Sequence, residues 1–293
     1  AAVADMSATV FGFLATELFE RADHALRDFM LTTAWMPFVS ESLVRCAVPT
    51  ADVSANIADL CRRALLLPVD SGCERTWRYH HLLCEFLRQH SRKLWSTDEL
   101  AARLIRLATC LESASLPEAA AHLHGEACNW EGLAALLLRH APQLLRTGRY
   151  ATLVTWVEAI PIDQRTPWVD YWFGAALLAR DARLSYLRFE RAYNGFWAIG
   201  DAEGLYRSWC GVIEGITYVC DDYGALEHWL AHLRELRQRF PRYPSLLVRA
   251  QVSVYGFSAT FFLRPQAPEF APWLRGVQRL YRLSVRRADR AAI

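Results

Sequence analysis

The sequence WRYHHLLCEFL, residues 77–87, changes from a strand-like pattern to a helical one within a few residues. Four apolar residues after the change share one face of the predicted helix: Leu82, Leu83, Phe86 and Leu87. His80 and His81 precede that face, so we predict an imidazole pair at the amino end of a helix. Backbone N–H groups and the helix dipole favour an anion such as a phosphate at that end.

The segment before this helix predicts a β-hairpin. Two short runs, residues 64–69 and 76–79, flank the turn-like cluster DSGC at residues 70–73. Amphipathic helices are predicted upstream, the first of them striped by Phe11, Leu14, Leu18 and Phe19 and the others at residues 25–33, 40–46 and 53–63. Several helices followed by a two-stranded wing are typical of a winged-helix domain, which we assign to residues 1–95.

The pattern changes to pairs of helices over residues 96–293. Ser96 is a suitable N-cap and Pro117 suits the first position of the next helix. Short turns containing glycine or proline separate helices of similar length, which predicts an α-solenoid. The tetratricopeptide spacing A-x3-F occurs once, at Ala192 and Phe196. The predicted fold class is therefore all-α: a winged-helix-like domain with a small hairpin, then a tetratricopeptide-like α-solenoid.

Composition argues against several classes of protein. The formal net charge is +2, from 33 basic and 31 acidic residues, which gives no bulk attraction to nucleic acid or to an anionic membrane. We expect no bilayer-spanning segment and no signal peptide. The 8 cysteines are scattered without a C-x-x-C pair, which favours reduced thiols and a cytoplasmic location. Both ends of the chain resemble cut ends, so we expect a longer protein.

Motifs for catalysis or metal binding are absent from the sequence. It contains neither a P-loop nor a G-x-G-x-x-G motif. His80, His81 and Cys84 could suggest metal ligands, but no second ligand group with metal-site spacing accompanies them. No Cys–His pairing has the local signature of a hydrolase. We therefore expect no enzyme activity, no metal and no cofactor bound by this chain itself.

Aromatic residues are abundant, with 11 Trp, 11 Tyr and 14 Phe. Most should belong to the core, because each buries a large apolar area. Some should line a surface of the solenoid, where rings stack on ligands or anchor partner proteins. Four aromatic residues of the helical region are our candidates for contacts with a ligand or partner: Trp172, Tyr186, Trp209 and Tyr218.

Six segments resemble, in order along the chain, motifs of MalT-like, LuxR-type transcription regulators of the STAND class of signal-transduction ATPases. They are VFGFLATELF (10–19), LRDFMLTTA (26–34), RYHHLLCEFLR (78–88), CNWE (128–131), RHAPQLLRTGR (139–149) and WVEAIP (156–161). The resemblance is good from residue 10 to residue 161 and vaguer beyond. It implies a winged helix and a tetratricopeptide-like superhelix in this chain.

The resemblance also implies partners and a site. ATP or ADP would bind to an upstream nucleotide-binding domain, on which the winged helix would pack. His80 lies where the wider class carries the His of its Met-His-Asp motif, which reaches the β-phosphate of ADP; His81 stands in place of the Asp. A His80 ring packed against its own hairpin is the structural alternative.

The remaining partner predictions concern the solenoid and nucleic acid. The resemblance implies an inducer or a regulatory protein on the solenoid, and we expect no direct DNA binding by this chain and no membrane contact. The other class of function that fits the sequence is a helical-repeat protein–protein interaction scaffold with no link to nucleotides.

Overall fold

The computed structural model describes residues 16–17, 19–48, 52–69, 74–219, 223–266, 268 and 270–291, and in the last segment side chains are described for residues 270–279 and 282. The chain divides into two compact units, residues 1–136 and 137–293. The predicted stripe residues Phe11, Leu14 and Leu18, and the predicted turn at 70–73, lie outside the described residues.

The first unit combines helices with a small sheet. Its helices are α1 (His24–Thr33), α2 (Glu41–Ala47), α3 (Val53–Arg62), α4 (His81–Leu94), α5 (Thr97–Ser113) and α6 (Pro117–Glu126). Its strands are β1 (Val39–Ser40), β2 (Leu66–Val69) and β3 (Thr76–Tyr79). Helix α7 (Trp130–Arg146) contains the division between the two units.

The sheet has the antiparallel order β1–β3–β2. Strands β2 and β3 form the predicted hairpin, with Leu66 opposite Tyr79 and Val69 opposite Thr76. Strand β1 adds a third strand through the pairing of Val39 with Trp77. Sequence analysis missed β1 because two residues are too few to show an alternating pattern.

Helix α4 packs with its apolar face inward, as predicted from residues 82–87. Leu83 and Leu87 are buried, and Leu82 and Phe86 are half-buried. The same helix also buries Ser91, whose Oγ accepts a hydrogen bond of 3.1 Å from Trp35 Nε1. The buried hydroxyl of Ser91 therefore has a hydrogen-bond partner, as most buried polar groups do.

Helices α5 and α6 are fastened to the winged-helix part by specific contacts. Arg103 Nη1 lies 2.8 Å from Asp28 Oδ1, and its guanidinium stacks over the Trp95 ring at 4.1 Å. Arg92 Nη2 lies 2.5 Å from Glu126 Oε2. These contacts connect α5 and α6 to the winged-helix part within the first compact unit, residues 1–136.

A disulfide also joins α2 to α5, between Cys46 and Cys110. The expectation of reduced thiols is wrong for this pair, because sequence spacing does not show which cysteines meet in space. Disulfides are rare in proteins of reducing compartments, so the pair does not favour the cytoplasm, which stays a prediction. Four further cysteines among the described residues are free: Cys61, Cys84, Cys128 and Cys210.

The second unit consists of successive helices. They are α8 (Tyr150–Ala159), a 3-10 turn (Ile162–Gln164), α9 (Pro167–Leu177), α10 (Ala182–Ile199), α11 (Ala202–Val219), α12 (Ala225–Arg239), α13 (Leu246–Leu263) and α14 (Phe270–Ala291). Each packs on a neighbour in sequence or the next but one: α9 on α10, α10 on α11, α11 on α13 and α13 on α14. This arrangement is solenoid-like, as predicted.

Two glycines let α11 approach α10 closely. A Cβ atom at Gly204 would lie 2.4 Å from the Phe196 ring, and one at Gly211 would lie 2.5 Å from the Phe189 ring. Any larger residue would force the helices apart or displace a ring. Ala192 and Phe196, the residues of the tetratricopeptide-like spacing, are both fully buried at this contact.

Helix α13 is the one helix in the described part of the chain that is long and apolar enough to cross a membrane. This result differs from the expectation that no segment is apolar enough to cross a bilayer. The helix passes the test because it contains few charged residues among many apolar ones. Only 28% of its apolar stretch is buried. Length and composition alone are weak evidence for a membrane span, since core helices pass the same test.

A histidine pair on α12 predicts a pH-dependent stability. His228 Nε2 and His232 Nε2 lie 3.0 Å apart. Burial lowers the pKa of His232 below its usual 6.5, and the charge of His228 adds to this effect against the opposite influence of Glu235 and Glu190. Below pH 6.5 the unfolded chain therefore binds more protons than the folded chain. The free energy of unfolding consequently decreases as the pH falls below 6.5.

Thermal unfolding between about pH 7.5 and about pH 5.5 checks this expectation. We expect a lower midpoint temperature at about pH 5.5 than at about pH 7.5. The difference between the two midpoints should be smaller in His228→Gln, because the charge of His228 no longer opposes protonation of His232. His122→Gln, an exposed histidine on α6, is the matched control and should leave the pH dependence unchanged. An identical pH dependence in His228→Gln and in the unmodified chain would contradict the assignment.

Candidate functional site

The imidazole pair lies at the start of α4, as the sequence predicts. His80 occupies the N-cap position, and its side chain makes no capping hydrogen bond to the helix. His81 is the first helical residue, and the two ring centroids are 4.6 Å apart. Both residues are exposed.

The surroundings of this pair suit an anion. The first turn of α4 contains no acidic residue. Orphan N–H groups at a helix start and imidazole N–H groups are both hydrogen-bond donors to phosphate oxygens. The arrangement can therefore receive a phosphate that another domain supplies.

Cys84 does not join the histidines in a metal site. Its Sγ donates a hydrogen bond of 3.1 Å to the carbonyl oxygen of Ala34. Burial raises the pKa of the Cys84 thiol, which keeps the sulfur protonated and a poor ligand. Among the residues with described positions, no group of three or more His, Cys, Asp or Glu could hold a metal ion.

The four predicted aromatic contacts occupy different environments. The prediction that Trp209 contacts a ligand or partner at the surface is wrong. Its side chain is fully buried, and its Nε1 donates a hydrogen bond of 2.7 Å to the carbonyl oxygen of Trp229. Tyr218 is 61% exposed. Trp172 and Tyr186 are half-buried, the first against Tyr171. None of the four lines either of two cavities that the described residues of the second unit form.

The first of these cavities, here named the tyrosine cavity, has a volume of about 250 Å³. Residues from α8, α9, α10, α11 and α13 line it, together with Leu145 from the end of α7. Its chemistry comes from six side chains: Tyr150, Tyr171, Arg207, Glu214, Gln251 and Tyr255. The cavity thus combines three tyrosine rings and the Phe189 ring with hydrogen-bond donors and acceptors.

The polar groups of the tyrosine cavity are only partly satisfied. Tyr255 hydrogen-bonds to Glu214, and burial raises the pKa of this carboxyl group above its usual value. Arg207 Nη2 lies 2.8 Å from Glu203 Oε1. Arg207 Nε and Gln251 Oε1 are buried without a hydrogen-bond partner. Such atoms call for an explanation, because most buried polar groups are paired.

Sequence analysis missed Arg207, Glu214 and Gln251. Arg207 and Glu214 are separated by two helical turns, so they share a face of α11, but only the packing of α13 brings Gln251 beside them. The signal available in the sequence for these residues was a polar side chain on an otherwise apolar face of a helix.

The second cavity, here named the arginine groove, has a volume of about 380 Å³ and lies among α12, α13 and α14. Leucines and Trp273 supply its apolar surface. Three arginines line it: Arg234, Arg237 and Arg264. Arg264 is already paired with Glu227 at 2.6 Å, and all three arginines are exposed.

Comparison with known families gives one match. Residues 15–99 match the family model of the MalT winged helix domain. This segment of the chain, which contains the sheet, α4 and the imidazole pair, is therefore similar to that domain. A comparison with curated proteins found no match.

Proposed function

We propose that the chain is a regulatory part of a MalT-like, LuxR-type transcription regulator of the STAND class of signal-transduction ATPases. The observation that carries this proposal is the position of His80. It is exposed at the start of α4, directly after the wing, within the segment that matches the MalT winged helix domain.

In this proposal the winged helix packs on a nucleotide-binding domain that lies outside this chain. ADP bound to that domain presents its β-phosphate to His80, whose imidazole N–H donates a hydrogen bond to a phosphate oxygen. His81 lies next to the contact in the position that the class usually gives to an aspartate. The contact stabilises the resting state.

The helical region would act as the sensor. An inducer or regulatory protein that binds it in only one of two states shifts the equilibrium between them. The chain would contribute neither catalysis nor direct DNA contact, because the sequence has no P-loop and its charge is balanced. We propose a cytoplasmic protein that makes no membrane contact.

Replacing His80 by alanine in the full-length protein should speed ADP release by about tenfold or more, because a hydrogen bond to a charged group contributes about 1.5–3 kcal/mol. The rate can be followed by stopped-flow fluorescence of a labelled ADP. His122→Ala, at an exposed histidine of α6, is the control and should release ADP at the unmodified rate. Equal rates for His80→Ala and the control would refute the phosphate contact.

The second candidate is a protein–protein interaction scaffold with no nucleotide link. It is favoured by large apolar side chains that α13 leaves exposed, including Leu246 at 81% and Leu247 at 59%. The two candidates differ in gene context: a P-loop encoded upstream in the same reading frame supports the regulator, and its absence from the complete protein supports the scaffold.

A further inference from the structure

The tyrosine cavity has the composition of a ligand site rather than of a packing defect. Packing defects in protein interiors are lined by apolar groups, which stay dry. This cavity instead contains a buried donor, Arg207 Nε, and a buried acceptor, Gln251 Oε1, both without partners. An unsatisfied buried polar atom lowers stability, so a molecule that supplies the partners would bind favourably.

The charges in the cavity indicate the chemistry of that molecule. Glu203, which does not line the cavity, forms an ion pair with Arg207 over 2.8 Å. Glu214 has a hydrogen bond with Tyr255, but within the described part of the chain it has no cationic partner. One carboxylate in a cavity lined by tyrosines therefore has no ion-pair partner among the described residues.

We propose that the tyrosine cavity binds a small molecule with a primary ammonium group at one end and a hydrogen-bond acceptor at the other, as in an amino acid or an amino alcohol. The ammonium group would lie against Glu214 and Gln251 Oε1. The acceptor would lie against Arg207 Nε. This proposal rests on the sensor role proposed for the helical region, and it names the class of the inducer.

The geometry sets the orientation of this ligand. Arg207 and Glu214 lie seven residues apart on α11, which separates their Cα atoms by about 10 Å along one helix face. Arg207 Nε can only donate a hydrogen bond and the Glu214 carboxylate can only accept one, so the acceptor end of the ligand lies at Arg207 and the ammonium end at Glu214. Tyr150, Tyr171 and Tyr255 line the same cavity, and an aromatic ring attracts a cation that lies over its face.

The size of the cavity limits the ligand. A volume of 250 Å³ lies just below the usual range for drug-sized molecules, about 300–1,000 Å³, and suits a molecule as small as an amino acid. Gly211 and Phe189 both line the cavity, and a Cβ atom at Gly211 would lie 2.5 Å from the Phe189 ring.

Isothermal titration of the full chain with single compounds tests the proposal. The probes are the proteinogenic L-amino acids, the amino alcohols that correspond to them, and their N-acetyl derivatives, which lack the ammonium charge. We expect at least one amino acid or amino alcohol to bind, and its N-acetyl derivative to bind at least about tenfold more weakly. Tighter binding of the acid than of the alcohol would identify a carboxylate at Arg207.

A variant pair assigns the binding to this cavity. Glu214→Gln keeps the size and hydrogen bonding of the side chain but removes its charge, and should weaken binding by about tenfold or more. Glu227→Gln, in the arginine groove, should bind as the unmodified chain does. Circular dichroism of both variants checks that they are folded, and the N-acetyl comparison needs no variant.

Three results would overturn the proposal: no binding by any amine in the panel, equal binding of the N-acetyl derivative, or unchanged affinity in Glu214→Gln. None of these affects the phosphate contact of His80, which is measured by ADP release. If the ADP-release experiment and the titration both fail, the proposal that the chain belongs to a regulator is wrong. If only the titration fails, the helical region binds a different ligand.

Discussion

Trp209→Ala is expected to lower the free energy of unfolding of the second unit by about 3–5 kcal/mol. The indole is fully buried at the centre of α11, and its Nε1 donates to the carbonyl oxygen of Trp229 in α12. The substitution removes a large buried apolar area, leaves a cavity between tightly packed helices and deprives that carbonyl of its partner.

Urea unfolding followed by circular dichroism measures this loss, and hydrogen exchange of the α11 amides assigns it to the second unit. Tyr218→Ala is the matched control, because Tyr218 lies on the same helix and is 61% exposed. Its effect should stay within about 0.5 kcal/mol. A loss below about 1 kcal/mol for Trp209→Ala would show that the residue is not in a packed core.

Leu87→Ala should destabilise the first unit by about 2–5 kcal/mol. Leu87 is 0% exposed and lies on the face of α4 that packs against the winged-helix core. The cost combines the lost burial of the isobutyl group with the cavity that it leaves, which rigid helices and a short sheet fill only in part.

Leu94→Ala is the control for this substitution, since Leu94 ends the same helix and is 57% exposed. Unfolding in urea and hydrogen exchange of the α4 amides report on the first unit, while the α11 amides should retain their protection. Equal losses for Leu87→Ala and Leu94→Ala would contradict the buried face that positions His80 at the helix start.

Local signals in the sequence were sufficient for the elements that surround His80. The alternation at residues 76–79 gives way to the helical spacing of Leu83 and Leu87, and this change locates the start of α4 to within a residue. Ser96 caps α5 by accepting from the N–H of Glu99, and Pro117 begins α6. Caps and periodicity depend on neighbours a few residues away, so they can be identified without a structure.

Contacts between distant segments could not be identified in this way. Strand β1 exists because Val39 pairs with Trp77, and the disulfide exists because α2 brings Cys46 to Cys110. The sequence around each of these four residues contains no pattern that indicates which distant residue it contacts. The same holds for the tyrosine cavity, where Gln251 comes from a different helix than Arg207 and Glu214.

Helix α11 separates what was determined by sequence from what was decided by packing. Its periodicity alone places Trp209 and Tyr218, nine residues apart, on opposite faces, so the two could not share one environment. Which face is buried depends on α10, α12 and α13, and only the tertiary structure decided that Trp209 is core while Tyr218 is exposed. The physical reason is that periodicity is a property of one helix, whereas burial is a property of the helices that surround it.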